Sequence, residues 1–100
     1  MKVSSNSKPG AVAGAIIGKI RNGETVALET IGPSALNQAM KAFIIANGFL
    51  GKGETLAMTA KFKMLNVNGL ERTAIIMSLT ILFDDSADDL FAGRYPEGDE

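Results

Sequence analysis

Three cations stand where the chain alternates. Lys61 and Lys63 are two residues apart in one alternating run, and Arg72 lies in the run that follows. Asn68-Gly69 separates the runs and is the strongest short signal for a two-residue hairpin turn, with Val67 facing Leu70 across it. Counting back from that pair sets Phe62 opposite Ile75, Ala60 opposite Met77, Met58 opposite Leu79 and Leu56 opposite Ile81. Alternate residues of a strand share a face, so these residues make one apolar face, and a one-residue slip destroys the match. The other face carries Thr59, Lys61, Lys63, Arg72, Ser78 and Thr80. Leu65 and Val67 share it near the tip, where a bulge or a protruding arm is expected. A ribbon with cations on one side can track a phosphate backbone; the alternative is a solvated strand face. Phe62 is expected to point to the core, leaving no exposed aromatic in the body for base stacking. The expected chemistry is therefore contact with backbone phosphates, with little sequence preference.

Two helix starts form a second candidate. Ser5-Asn6-Ser7-Lys8-Pro9-Gly10 leads into one helix, and Gly32-Pro33-Ser34 opens another that carries Asn37, Gln38 and Lys41 on its surface. Helix N-termini present free N–H groups and the positive end of the dipole, which suit a phosphate. Ser7 and Lys8 at the first start, and Ser34, Asn37 and Lys41 at the second, complete the candidate set. The competing reading is an ordinary capped start with surface lysines.

Other chemistries find no residues to carry them. The chain has no histidine and no cysteine, so the commonest general base and the thiolate nucleophile are both missing. Ser34 forms no recognised triad with Lys41 or Glu29, so no catalytic residue is assigned and no enzyme is expected. The carboxylates of Asp84 to Asp89 do not match the EF-hand spacing; Ser86 with Asp89 reads instead as a capping box. Gly14, Gly18 and Lys19 are too closely spaced for a phosphate-binding P-loop, and Gly51-Lys52-Gly53 lacks the strand-loop-helix setting. No cofactor, no metal and no small-molecule substrate is expected.

The elements that must position these residues read in the order β-α-β-α-β-β. Met1 to Ser4 is a short strand. Pro9 opens a helix to about Arg21, with Val12, Ile16 and Ile20 on one stripe and Asn22-Gly23 ending it. Gly14 and Gly18, one turn apart, are expected to let this helix approach the sheet closely. Glu24 to Ile31 is the second strand. The second helix runs to Gly48 with Leu36, Ala39, Met40, Phe43 and Ala46 buried and Ile45 exposed among polar residues. The fold class is α/β of the two-layer α+β kind, a mixed four-stranded sheet with two helices packed on one face. One domain covers residues 1–83. Residues 84–100 form a tail in which a short helix is expected over Ala87 to Ala92, with Leu90 and Phe91 able to dock.

Hydrophobic residues make up 46% of the 100 residues and charged residues 21%, a globular rather than a disordered mix. The net charge of -1 conceals an asymmetry. Residues 84–100 hold seven acids and one base, a net of -6, whereas residues 1–83 hold nine bases and four acids, a net of +5. A basic body with an acidic tail reads first as a body with a solvated, solubilising tail; the alternative is a polyanionic partner and a tail that competes with it. No leader and no membrane-spanning run is visible, and a cytoplasmic, membrane-free protein is expected.

Several stretches together resemble a known family. Lys2 to Arg21 (KVSSNSKPGAVAGAIIGKIR), Ile31 to Leu50 (IGPSALNQAMKAFIIANGFL) and Gly69 to Ile75 (GLERTAI) are similar to the stage V sporulation protein S family, over Lys2 to about Leu82. That family resembles the Alba superfamily of small dimeric DNA- and RNA-binding proteins, with the same element order. The resemblance implies an Alba-like domain, a bacterial regulator of sporulation, binding of nucleic acid (DNA or RNA) and a homodimer or higher homo-oligomer. A scaffold for protein partners, without nucleic acid, is the alternative, supported by the near-neutral charge and by Ile45, Leu65 and Val67. Three departures stand out. The turn Ile31-Gly32-Pro33-Ser34 carries no base where the Alba pattern does. Lys61 and Lys63 exceed the usual lysines of the third strand. The acidic tail is not part of the family pattern.

Overall fold

The computed structural model describes residues 1–83; the acidic tail, and with it the helix expected over Ala87 to Ala92, lie outside the described residues. The described chain runs α1 (Pro9–Arg21), β1 (Val26–Thr30), α2 (Pro33–Asn47), β2 (Glu54–Val67) and β3 (Leu70–Phe83). Among the described residues the sheet has three antiparallel strands in the order β1-β3-β2.

Among the described residues the expected mixed four-stranded sheet is replaced by these three antiparallel strands. The expected first strand, Met1 to Ser4, makes a single parallel bridge, Lys2 to Glu29. Glu29 donates its N–H to the Met1 carbonyl and accepts the Val3 N–H, each at 2.9 Å. Pairing goes no further because the chain turns away at once. Ser4 donates its N–H to Ser7 Oγ at 2.9 Å, and Ser7 returns its own N–H to the Ser4 carbonyl at 3.1 Å. β1 is also shorter than the expected Glu24 to Ile31.

The hairpin takes the register that the turn dictates. Val67 faces Leu70, Phe62 faces Ile75, and Leu56 faces Ile81, with every pair between them in step and no bulge. Asn68 at φ 54° and Gly69 at φ 81° both occupy the left-handed region, which the tight primed turn requires. The Asn66 Oδ1 accepts the Gly69 N–H at 3.0 Å and holds the tip closed.

Both helices cover the apolar face of the sheet. Val26, Leu28, Leu56, Met77 and Leu79 form the sheet side of the core; Ala13 and Ile16 of α1, and Ala39, Ala42 and Ala46 of α2, form the helix side. Leu36, Met40 and Phe43 are only partly buried, so the alanines carry the innermost stripe of α2. α1 packs mainly on α2 and only slightly on β1. Gly14 and Gly18 accordingly do not approach the sheet: both are exposed, and a Cβ at either would meet nothing within 4 Å. At the end of α1, Glu24 accepts from Asn22 Nδ2 at 3.0 Å and lies 3.6 Å from Lys19 Nζ. The Asn22 amide, then the Lys19 charge, holds the Glu24 carboxyl below its ordinary value. No helix among the described residues is long and apolar enough to cross a membrane.

Ile16, Leu28 and Met77 are fully buried, and cutting one to alanine removes about 2–5 kcal/mol by the usual cost of such truncations. Thr30 is buried beside them on the core face, and its hydroxyl has no hydrogen-bond partner among the described residues. An unmet buried hydroxyl costs about 1–3 kcal/mol. Thr30→Val keeps the shape and removes the polar atom, so it should raise the urea midpoint of unfolding. A lower midpoint would show that the hydroxyl is satisfied in solution.

Candidate nucleic-acid interface

Alternation along β2 and β3 determines where the cations go. Lys61 pairs with Ile76, Lys63 with Ala74, and Arg72 with Leu65, so all three side chains leave the face of the sheet opposite α1 and α2. All three are exposed. Glu29 of β1 pairs with Ile76 on the far side of β3 and therefore shares this face. Its Oε1 lies 3.9 Å from Lys63 Nζ, the side chains being 19% and 56% exposed. At that distance and exposure the pair adds little stability, but it sets one anion among the cations.

The second helix start opens at the edge of the same face. Gly32 is the N-cap of α2 at φ 88°, a conformation that glycine alone adopts freely, and it has no side chain with which to cap. The first N–H groups of α2 thus lack the usual side-chain acceptor. Lys2, Ser4, Ser5, Glu29, Gly32 and Ser34 line a concavity of about 540 Å³ at this point. A neighbouring concavity of about 520 Å³ is lined by Ala27, Glu29, Lys61, Lys63 and Ile76. Glu29 belongs to both. The helix-start group and the hairpin group are therefore adjacent, with one carboxylate between them.

The candidate residues divide accordingly. Ser34 lines the first concavity, and Lys61 and Lys63 line the second. Arg72 is on the same face nearer the tip. Lys8, Asn37 and Lys41 are exposed but line neither concavity. Ser7 is half-buried and already engaged: its Oγ accepts from Ser4, and its carbonyl accepts from Gln38 Nε2 at 2.9 Å. Ser7 holds the loop closed rather than facing outward.

Three participants escape sequence reasoning. Lys2 enters because Met1 to Val3 lies along β1. Glu29 enters because β1 joins β3 rather than the outer edge. Gln38, expected on the surface, is half-buried and ties α2 to the Ser4–Ser7 loop across 31 residues of chain. Only its place one turn beyond Ser34 hinted at this.

The expectation for Phe62 is reversed. It lies on the core face, but its exposure is 76%. Exposure on that face rises from 3% at Leu56 to 76% at Phe62, because the helix layer ends near Met58 and the hairpin continues beyond it. Phe49 and Phe83 are exposed as well. The body does present aromatics, and a lack of them no longer argues against stacking on bases.

Gln38→Ala should cost about 1 kcal/mol, the net worth of one hydrogen bond. It should also speed hydrogen exchange at the Ser4 and Asn6 amides, which the closed loop protects. Unchanged exchange at those amides would mean that the loop closes without Gln38.

With this geometry in place, one comparison bears on identity: a family model described as Stage V sporulation protein S matches residues 1–81.

Proposed function

The chain belongs to the stage V sporulation protein S family, and from that premise we propose that this sporulation protein binds nucleic acid through backbone phosphates, with the uncovered face of its sheet. The observation that carries the proposal is the gathering of Lys61, Lys63 and Arg72 on that face, beside the Lys2 and Ser34 concavity. A phosphate chain laid along the hairpin meets point charges at a two-residue spacing. It then reaches the uncapped start of α2, where N–H groups and the Ser34 hydroxyl replace the base missing from Ile31 to Ser34. The family's resemblance to the Alba superfamily, whose proteins bind DNA and RNA, supports this reading. Contacts of this kind fix the position of the backbone and carry little sequence information. Glu29 opposes the same phosphates and tunes affinity downward, and the net -6 of residues 84–100 competes for the same cations.

A second reading has its own observation. Phe62 and Leu70 on the hairpin, with Ile44 and Phe49 near the end of α2, are all more than half exposed, which suits a protein partner. In that reading the protein is an interaction scaffold, and the cations only solvate the sheet.

Titration with duplex and single-stranded DNA and RNA at two or more salt concentrations tests the first reading. Binding should weaken steeply with salt, with a log–log slope of about -3 per chain for three phosphate contacts. Replacing Lys61, Lys63 and Arg72 together by glutamate should abolish binding while the circular dichroism spectrum is kept. Binding that ignores both salt and these charges would leave the scaffold reading.

Glu29→Gln gives an independent check. Removing the anion between the two concavities should tighten binding several-fold at low salt and lose that advantage at high salt. Deleting residues 84–100 should act in the same direction. Weaker binding by Glu29→Gln would mean that Glu29 positions Lys63 more than it repels phosphate.

A further inference from the structure

Asn-Gly occurs three times in the chain, at Asn22-Gly23, Asn47-Gly48 and Asn68-Gly69. Asparagine is a thermolabile residue, and a following glycine, with no side chain, leaves its backbone nitrogen open to attack on the asparagine amide. The reaction needs two freedoms. The glycine N–H must leave its acceptor, and the asparagine side chain must swing onto it. The three pairs have these freedoms unequally. The Gly23 N–H donates to the Ile20 carbonyl at 3.0 Å, and Asn22 Nδ2 is held by Glu24 at 3.0 Å. The Gly48 N–H is shared between the Ile44 and Ile45 carbonyls at 3.2 and 3.0 Å, and Asn47 Oδ1 accepts the Leu56 N–H at 2.7 Å. Those glycine acceptors are helix carbonyls, which move only with the helix end. The Gly69 N–H donates instead to a side chain, Asn66 Oδ1, at 3.0 Å. Asn66 is exposed, and one rotamer change, on the picosecond to nanosecond scale of such side chains, releases the N–H. Among the described residues no hydrogen bond holds the Asn68 side chain.

The place of the pair in the fold adds a second, independent observation. The tip lies past the end of the helix layer, where Phe62, Met64 and Leu70 are all exposed. The pairs from Met64 with Thr73 to Val67 with Leu70 are therefore held chiefly by the strand ladder. Segments with exposed backbone bonds and few buried contacts open locally at small cost. Opening frees the Asn68 backbone, held at φ 54° in the closed turn, to bring Cγ onto the Gly69 nitrogen. Asn47 has no such freedom, because its side chain ties the end of α2 to β2.

We propose that Asn68 is a site of spontaneous modification, converted to aspartate and isoaspartate faster than Asn22 or Asn47, and that Asn66 is the residue that restrains it. Hydroxide takes the proton of the Gly69 N–H, and the nitrogen attacks Asn68 Cγ. The Cγ–Nδ2 bond breaks, and the leaving nitrogen takes a proton from water and departs as ammonia. A five-membered succinimide remains. Water then adds to one of its two carbonyls. Breaking the Cγ–N bond gives aspartate; breaking the original backbone C–N bond gives isoaspartate, in which the chain runs through Cγ. The balance is one water gained and one ammonia lost, with no oxidation or reduction. Isoaspartate adds a methylene to the backbone of a two-residue loop that closes only with both residues in the left-handed region, so the tight turn is lost. Both products also put a carboxylate four residues before Arg72. Under the phosphate-binding reading that charge weakens binding; the modification itself stands on the turn chemistry and holds without it.

Incubation of the full chain in warm, mildly alkaline buffer, followed by mass analysis of tryptic peptides, tests this without nucleic acid. Cleavage after Arg21, Lys41, Lys52, Lys63 and Arg72 puts each Asn-Gly pair on its own peptide. Asn68 should gain the mass of water less ammonia about fivefold faster than Asn22 or Asn47, the factor that one hydrogen bond of ordinary net worth makes. Backbone fragments of that peptide should show isoaspartate. In urea, which opens all three pairs, the rates should converge. Asn66→Ala should speed conversion at Asn68 alone, with the circular dichroism spectrum kept, whereas Asn66→Asp retains an acceptor oxygen and should hold the slower rate. Equal rates at the three pairs of the folded chain, or a slower rate at Asn68, overturn the proposal. An Asn66→Ala chain that converts at the unsubstituted rate overturns the role given to Asn66.

Discussion

The register between β2 and β3 is the constraint on which the rest of this protein depends. Two residues, Asn68 and Gly69, take left-handed backbone conformations and so determine which side chains stand opposite each other over the whole hairpin. Because side chains alternate, that choice sorts the residues of two strands into a core face and a basic face. β1 then adds to β3 in step, so Val26, Leu28 and Thr30 join the core and Glu29 joins the cations. A slip by one residue would turn Leu56 and Met58 out from under the helices and put Thr55, Ala57 and Thr59 in their place. The lost apolar burial and the polar groups brought in are what specify the register.

The core is small, and this has a functional consequence. α2 buries alanines, α1 rests chiefly on α2, and the layer they form covers only the part of the sheet near Leu28, Leu56 and Met77. The hairpin outruns its cover. One end of the molecule is a packed two-layer body, and the other is a bare ribbon with cations on one side and Phe62 and Met64 on the other. A ribbon of this kind is costly to leave in water, since among the described residues it exposes an apolar face beyond the helices. That exposure suits a contact surface.

Much of the fold was legible because the local signals agreed. Pro9 and Pro33 open the two helices, Asn22-Gly23 and Gly48 close them, and the paired residues of the hairpin follow from the turn. The cationic face was legible for the same reason. What misled was reach. Alternation says that Phe62 shares a face with Leu56 but is silent on how far the helices extend, so Phe62 reads as core and lies in the open. Gly14 and Gly18 suggest a close approach, but α1 turns its other side inward. Gln38 looks like surface because its partner, the Ser7 carbonyl, is 31 residues away.

By itself the sequence determined the elements, the hairpin register, the sharing of one face by Lys61, Lys63 and Arg72, and the family. The elements, the register and the shared face rest on short-range stereochemistry: fixed φ at proline, positive φ at Asn68 and glycine, and period-2 alternation; the family rests on the likeness of whole stretches to its members. Only the tertiary structure decided that Met1 to Val3 pairs at one residue, that Glu29 stands between the two concavities, that Ser7 faces inward to Gln38, and that β2 ends the strand order among the described residues. Each of those facts is a meeting of segments far apart in the chain. Such meetings are set by how the packed layers end and by which strand lies next to which, and no local pattern of residues encodes either.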